Sequence, residues 1–379
     1  MFNKKVRGFG LALLLGLVSL GAVSTDALRG HVDWLSDAAR VGRRAGSAGA
    51  AESAQYIAKQ FEQIGFDVQV QPFGSNRRNV AARWGTAEKY IVLGAHYDGQ
   101  GTGMPSASDN AAGVAVLLEL ARDLKSADLP VSIVAVAFDD EEQGMVGSRY
   151  FVDHPLYPLD NAVAAIIFDA MGRNFIDLQA WTLFVLGTEY SEALSGIVEK
   201  RSRPDMLIAG TDLIGPRSDF APFAVKRIPY LFFTHGTHKD YHGAGDTADR
   251  INYPQLTEDV ALIGQIVRDV AQLKLKPVYS AEPAYPASEL ATLLRLMSNV
   301  ERERPDLPPV YRLIFDDLKI RVQTDQSRET LRVAASALLG VATPQLSSFL
   351  LTLILEPFYA PVNKPEIISA IQEEARRRQ

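Results

Sequence analysis

Three short apolar runs, each ending at a histidine or an aspartate, most constrain how this chain folds. The runs are Tyr90–Ala95 before His96, Val131–Phe138 before Asp139, and Ala162–Phe168 before Asp169. Runs of this kind are typical of strands that are buried on both faces, as the strands of parallel sheets are. Polar side chains that follow such strands collect at the carboxyl edge of the sheet, where α/β proteins place their sites.

Helical patterns alternate with these strands. Ala112–Lys125 is the clearest, because Val114, Leu117, Leu118 and Ala121 share one face. Further helices are predicted at Gly46–Ile64, Ser191–Arg201 and Pro254–Leu273, and further strands at Asp67–Phe73 and Tyr230–Phe233. The alternation predicts an α/β fold with a mixed, mostly parallel sheet sandwiched by helices.

Residues 1–24 have the pattern of a secretory signal peptide. Lys4, Lys5 and Arg7 precede an apolar stretch, and Ala22 to Ser24 supplies small residues for cleavage. The competing interpretation is a retained membrane anchor, but the stretch is short for a span of about 20 residues. We therefore expect an exported, periplasmic or secreted protein with no stable membrane span after cleavage.

The pattern changes after Lys276. We assign the main α/β domain to residues 25–276, a linker with three prolines to residues 277–286, and a C-terminal helical appendage to residues 287–379. Val333–Leu355 carries no charged residue over 23 positions, which is long enough to suggest a membrane span. Pro344 interrupts the run, so two buried helices joined at this proline are the favoured interpretation.

Composition narrows the chemistry. The formal net charge is −6, which gives no support to nucleic acid or an anionic membrane as a partner. The chain has no cysteine, so disulfides, thiolate metal ligands and cysteine nucleophiles are excluded. Histidine and carboxylate side chains remain as the available metal ligands.

Histidines and carboxylates recur in an order that suits a pair of divalent metal ions. In chain order the candidates are His96, Asp109, Glu142, Asp169 and His242. Two imidazoles and three carboxylates can hold two metals when one carboxylate bridges them. Each candidate alone has a simpler interpretation: Asp109 could cap the helix that follows it, and His242 could be an exposed loop residue. The joint pattern, rather than any single residue, carries the prediction.

Seven short motifs run in a fixed order through roughly residues 26 to 275. They are Arg44-Ala-Gly-Ser47, Gly94-Ala-His-Tyr-Asp98, Ser108-Asp-Asn-Ala-Ala-Gly113, Glu141-Glu-Gln-Gly-Met-Val-Gly-Ser148, Phe168-Asp-Ala-Met-Gly172, Ser218-Asp-Phe-Ala-Pro-Phe223 and Asp240-Tyr-His-Gly-Ala-Gly-Asp-Thr247. By these motifs the chain resembles the exported di-zinc aminopeptidases of metallopeptidase family 28, relatives of the glutamate carboxypeptidases and glutaminyl cyclases. The resemblance implies the zinc-exopeptidase type of α/β fold.

The resemblance implies a role for each candidate ligand. His96 and Asp169 would bind one zinc ion, Glu142 and His242 would bind the other, and Asp109 would bridge the two. We therefore expect two zinc ions per chain. The appendage has no counterpart among the matched motifs.

The resemblance also implies roles for residues that bind no metal. Glu141 would be the general base, and Asp98 would orient His96. Tyr241 is the candidate for the tyrosine that stabilises the oxyanion in the family. Phe220 stands where the family often has His or Tyr, so one polar contact near the substrate is expected to be missing.

The implied activity is hydrolysis of the N-terminal peptide bond of peptides that have a free N-terminus. A glutaminyl-peptide cyclase with one zinc ion is the alternative on the same fold, and a non-catalytic binding module is a third interpretation. A binding module is disfavoured because the ligands and the base are all present. Metal content separates the three, since they would hold two, one and no zinc ions per chain.

Overall fold

The computed structural model describes residues 23–342, 351–359 and 364–377. An eight-stranded sheet lies at its centre. The strands are β1 Asp67–Phe73, β2 Arg77–Trp84, β3 Tyr90–His96, β4 Ser132–Phe138, β5 Ala162–Phe168, β6 Leu183–Leu186, β7 Met206–Ala209 and β8 Tyr230–Thr234. Nearly all of the predicted signal peptide lies outside the described residues.

The strand order is β1-β2-β4-β3-β5-β8-β6-β7. β3 is parallel to both β4 and β5, and β5 is parallel to β8. At one side β2 runs antiparallel to β1 and β4, and at the other side β6 runs antiparallel to β8. The sheet is therefore mixed with a parallel centre, which confirms the predicted α/β fold.

Helices cover both faces of the sheet, and alternate strand residues pack against them. On β3, Ile91, Leu93 and Ala95 join one apolar cluster, whereas Tyr90 and Val92 join another on the opposite face. The helices of the main domain are α1 Thr25–Ser36, α2 Ala48–Ile64, α3 Ala112–Lys125, α4 Val146–Asp153, α5 Glu192–Lys200, α6 Phe220–Val225 and α7 Tyr253–Ala271. α4 and α6 pack on the Tyr90 face, and the other five pack on the Ile91 face.

The predicted elements of the main domain are present with ends that shift by no more than two residues. Gly65 ends α2 in a left-handed conformation with φ 95°, which a residue without a Cβ adopts at little cost. Sequence analysis missed β2, β6 and β7. β6 and β7 are apolar but have only four residues each, which is too short to identify a strand, and β2 begins with two arginines.

The described part of the chain beyond residue 287 is helical, as predicted. Its elements are α8 Glu289–Glu303, α9 Pro309–Arg321, α10 Arg328–Ala342, a short helix Glu356–Tyr359 and a last helix Pro365–Arg377. The uncharged run begins in α10, and the predicted junction at Pro344 lies outside the described residues. Within the described ranges, no helix combines the length and the apolar character that a membrane crossing requires.

The appendage packs on the main domain through an apolar cluster. Leu293 and Leu296 of α8 and Leu338 of α10 belong to this cluster, together with Phe175 and Leu207 of the main domain. Since the cluster draws on both parts of the chain, neither part covers its own apolar surface alone.

Ion pairs reinforce this contact at the start of α8. The carboxylate of Glu289, which is 2% exposed, accepts a hydrogen bond from Gly210 N at 2.5 Å. Glu289 also pairs with Arg328 of α10, which in turn pairs with Asp212 of the main domain. Arg332 lies 2.9 Å from the same Asp212 carboxylate. The ion pairs therefore tie both α8 and α10 to the loop that follows β7.

The predicted linker contains no helix or strand, yet it lies against the main domain. Ser280 N donates to the carbonyl oxygen of Tyr190 at 2.8 Å. Ala284 N donates to the carbonyl oxygen of Glu189 at 2.8 Å, and the rings of Tyr279 and Tyr190 stack with centroids 4.9 Å apart. The appendage is thus held along its connection as well as through its helices.

Truncation after Lys276 should expose the main-domain side of the shared apolar cluster. We expect the truncated protein to aggregate at concentrations where the full chain stays dispersed, because large exposed apolar patches promote association. Size-exclusion chromatography with light scattering on both proteins measures this. A truncated protein as soluble as the full chain would show that the appendage is an independent module.

Candidate metal centre

Neighbouring strands bring the predicted ligands to one edge of the sheet. His96 ends β3, Glu142 follows β4, Asp169 follows β5, and His242 lies in the loop after β8. These strands are adjacent in the order β4-β3-β5-β8. Asp109 lies in the turn that leads into α3, where the positive end of the helix dipole favours a carboxylate.

The ligand atoms form two groups that share Asp109. His96 and Asp169 complete one group, Glu142 and His242 complete the other, and the ligand atoms of each group lie within 4.8 Å of one another. His96 Nε2 is 3.2 Å from both Asp109 Oδ1 and Asp169 Oδ1. His242 Nε2 is 2.9 Å from Asp109 Oδ2 and 3.4 Å from Glu142 Oε2. The two oxygens of Asp109 therefore face different histidines, as a bridging carboxylate requires.

Asn110, rather than Asp109, satisfies the first turn of α3. Asn110 Oδ1 accepts a hydrogen bond from Gly113 N at 3.0 Å. Asn110 Nδ2 donates to the carbonyl oxygen of Phe168 at 2.9 Å, which joins the turn to the end of β5. The Asp109 carboxylate is left to face the two histidines.

Asp98 connects the first ligand group to the acidic loop of residues 139–142, which follows β4. Asp98 Oδ1 lies 3.5 Å from His96 Nδ1, and the carbonyl oxygen of Asp98 lies 3.2 Å from the same nitrogen. The Asp98 carboxylate also accepts hydrogen bonds from Glu141 N at 3.0 Å and from Glu142 N at 3.3 Å. Asp98 is thus placed to orient His96, and it also holds the backbone of the acidic loop, which sequence analysis did not anticipate.

The four carboxyl groups of the acidic loop fall into two pairs that have different contacts. Asp139 accepts a hydrogen bond from Arg78 N at 3.1 Å, and Asp140 pairs with Arg77 at 2.9 Å. Strand β2 therefore engages the first pair. Glu141 and Glu142 instead line a cavity next to the ligand groups.

The electrostatics of the site suit divalent cations. Burial opposes ionisation of Asp109, yet hydrogen bonds from His242 and His96 hold the pKa of this carboxyl well below its usual range. Burial, and then the charge of Asp109, raises the pKa of Glu142 to about 10. Glu142 Oε1 is buried and makes no hydrogen bond within the described part of the chain. This set of imidazole nitrogens and carboxyl oxygens is a donor set that zinc binds in proteins.

Burial and neighbouring charge also affect Glu141 and Tyr241. Burial raises the pKa of Glu141 well above its usual value, and the charges of Asp169 and Asp109 add to the effect although His96 opposes it. The Tyr241 ring stacks on His242 with centroids 3.9 Å apart. Burial raises the pKa of Tyr241 as well, so its hydroxyl keeps its proton and can act as a donor.

Phe220 offers the site no polar contact, in line with its departure from the family pattern. Its side chain is 2% exposed, and its ring stacks on Tyr230 with centroids 5.2 Å apart. The residue therefore belongs to the core on the Tyr90 face of the sheet.

Sequence analysis missed the residues that hold the Asp109 turn. Asp246 accepts hydrogen bonds from Ser108 N at 3.0 Å, from Ser108 Oγ at 2.7 Å and from Asp109 N at 3.2 Å. His238 Nε2 lies 2.7 Å from Ser108 Oγ. Ser108 and Asp246 are 138 positions apart, so no local pattern indicates that they meet.

Arg43 is a second residue that sequence analysis missed. Its side chain is 0% exposed, and burial lowers the pKa of its guanidinium to about 10. The guanidinium donates to the carbonyl oxygens of Leu35, Tyr97, Pro105 and Ser106 at 2.7–2.9 Å. Arg43 thereby fixes the glycine-rich loop of residues 99–108, which leads to Asp109.

A cavity of about 580 Å³ adjoins the ligand groups. Glu141, Glu142, Asp169, Tyr241 and His242 are among its lining residues. The other lining side chains are mostly apolar and come from both the main domain and helices α8 and α10. This volume is in the range of sites that bind small molecules.

The mixed sheet with paired ligand groups at its carboxyl edge is the arrangement expected of the zinc-exopeptidase type of fold. Residues 79–267 match the sequence model described as peptidase family M28. The chain belongs to that family, as the seven motifs indicated. The appendage lies outside the matched residues.

Individual relatives agree with this assignment. The chain is 29% identical over 198 residues to aminopeptidase YwaD of Bacillus subtilis (strain 168), and the match covers 49% of this chain but only 42% of that relative. Its structure is similar to the aminopeptidase from Aneurinibacillus sp. strain AM-1 (TM-score 0.58, 17% identity), covering 69% of this chain and 97% of that one. It is also similar to the glutaminyl cyclase of Porphyromonas gingivalis (TM-score 0.54, 22% identity), covering 65% of this chain and 98% of that one. At these identities the structural similarity shows the fold.

The shared position of Asp109 leads to a metal-binding prediction. If Asp109 bridges the two candidate metal sites, Asp109→Asn should weaken both together, because the amide loses the negative charge and one ligand oxygen. His242→Ala should chiefly empty the site that it completes with Glu142. Elemental analysis after dialysis against a weak chelator measures both effects. Full zinc occupancy in Asp109→Asn would contradict the bridging role.

Proposed function

We propose that the protein is an aminopeptidase that holds two zinc ions and releases the N-terminal residue of peptides. The observation that carries this proposal is a pair of complete ligand groups sharing Asp109. A further carboxylate, that of Glu141, lines the same cavity without belonging to either group. Membership of peptidase family M28 supports the same chemistry.

The bound zinc ions would supply Lewis acidity that activates a water molecule and polarises the scissile carbonyl. Glu141 moves the protons: one of its carboxylate oxygens accepts a proton from the attacking water and returns it to the leaving amine nitrogen. Asp98 positions two residues of the site, because its carboxylate faces His96 and accepts a hydrogen bond from Glu141 N. The protonated Tyr241 hydroxyl donates to the oxyanion of the tetrahedral intermediate.

An aminopeptidase must also recognise a free α-amine. The amine would sit beside the candidate zinc ligands Asp169 and Glu142, which line the cavity. A peptide with a blocked N-terminus would lose this contact and should be a poor substrate.

The competing glutaminyl cyclase would use one zinc ion, convert an N-terminal glutamine to pyroglutamate on the intact peptide, and release ammonia. The complete second ligand group of Asp109, Glu142 and His242 supports the peptidase. Incubation of zinc-loaded protein with a glutaminyl peptide and a leucyl peptide, analysed by mass spectrometry, separates the two. We expect free amino acids and two zinc ions per chain. A pyroglutamyl product with one zinc ion per chain would establish the cyclase instead.

Two adjacent glutamates provide a matched test of the general base. Glu141→Gln should retain both zinc ions and lower kcat by about 10²–10⁴-fold, because only proton transfer is removed. Glu142→Gln should lose zinc together with activity, because it removes a ligand. Zinc content and kcat are measured on the same preparations. Loss of zinc in Glu141→Gln would show that the two roles are exchanged.

We also propose that residues 1–24 direct export. The charged segment followed by an apolar stretch supports this proposal. N-terminal sequencing of the protein from a full-length gene would show residue 25 first after cleavage and Met1 if the segment is retained as an anchor.

A further inference from the structure

The cavity beside the ligand groups has walls from two parts of the chain. Phe184, Leu186 and Phe232 contribute from β6 and β8 of the main domain. Leu296 of α8 and Leu338 of α10 contribute from the appendage. The appendage is therefore part of the lining of the site, although it lies outside the residues that match the peptidase family.

The appendage side chains in the wall are firmly placed. Leu293, Leu296 and Leu338 are each 3% exposed and belong to the apolar cluster between the appendage and the main domain. The ion pairs of Glu289 and Arg328 hold the same two helices. A wall that is fixed in this way can discriminate between ligands by shape.

Charge is unevenly distributed around the cavity. The acidic side chains of its lining, Glu141, Glu142 and Asp169, are the predicted ligands and base. Apart from His242, the described lining contains one cationic side chain, Arg217. With the three acidic side chains engaged by the metal ions and the catalytic proton, a lysine or arginine side chain of a substrate would meet apolar surface and a like charge.

We propose that helices α8 and α10 form the wall of the subsite that receives the N-terminal side chain, and that the preferred substrates are short peptides beginning with a large apolar residue. This inference rests on the proposed aminopeptidase function. The cavity volume of about 580 Å³ suits a small ligand. Leu293, Leu296 and Leu338 form a leucine wall, and an apolar substrate side chain that leaves water to contact this wall binds more favourably.

Two adjacent residues of α8 allow a matched test. Leu296 lines the cavity, whereas Met297 is buried in the same apolar cluster and does not line it. Leu296→Ala should lower the ratio of kcat/KM for phenylalanyl over alanyl peptides about tenfold, since losing apolar contact of this size changes discrimination by about that factor. Met297→Ala should leave the ratio unchanged. The ratio is independent of the fraction of protein that is folded.

A binding measurement separates this inference from the proposed function. NMR titration of metal-free protein with phenylalanine amide and with alanine amide reports the apolar contact without catalysis. We expect tighter binding of phenylalanine amide, weakened several-fold by Leu296→Ala and not by Met297→Ala. Failure of the zinc-loaded protein to cleave any peptide, with this binding pattern intact, would overturn the aminopeptidase and keep the apolar subsite.

The subsite inference is wrong under either of two results. One is that Leu296→Ala leaves the preference for phenylalanyl over alanyl ligands unchanged in both the kinetic and the binding measurement. The other is an equal loss in Met297→Ala, which would show that the effect comes from general packing of α8 and not from contact with the substrate.

Discussion

Repulsion among carboxylates at one sheet edge is the constraint on which the site depends. Asp98, Asp109 and Asp169 are each no more than 7% exposed, and Glu141 and Glu142 lie beside them. Buried carboxylates without counter-charge either take up protons or destabilise the fold. Burial and this crowding raise the pKa of Glu142, whereas hydrogen bonds from two histidines lower the pKa of Asp109. Two divalent cations at the candidate ligand groups would remove the conflict.

Each turn that carries these carboxylates is held by a different polar side chain, which we call its anchor. Asp98 accepts the backbone N–H groups of the acidic loop, and Asp246 accepts those of the turn that carries Asp109. Asn110 joins that turn to β5. The anchors are buried polar contacts whose loss would leave unsatisfied groups. Metal ligands supported in this way keep their orientation before a metal binds.

Apolar runs predicted the parallel centre of the sheet and the strand-end positions of His96 and Asp169, whereas the meeting of all five candidate ligands was predicted from their joint pattern and the family motifs. An apolar run identifies a buried strand, and a histidine or carboxylate at its end must lie at the sheet edge. The anchors escaped prediction because each depends on distant positions. Asp246 contacts Ser108, and Arg43 donates to carbonyl oxygens as far along the chain as Ser106. Strands β6 and β7 escaped because four residues carry no recognisable period.

The appendage places chemistry and selectivity on different parts of the chain. The matched family residues contain all the candidate ligands and Glu141, while α8 and α10 supply a wall of the cavity. The pair of buried Glu289 and partly exposed Arg328 adds little net stability, because the cost of desolvating Glu289 offsets much of the attraction. Such a pair does penalise misplacement of either helix, since a shift would leave a buried charge unpaired. The ion pairs therefore set the position of the leucine wall relative to the metal ligands, and through it the shape of the cavity.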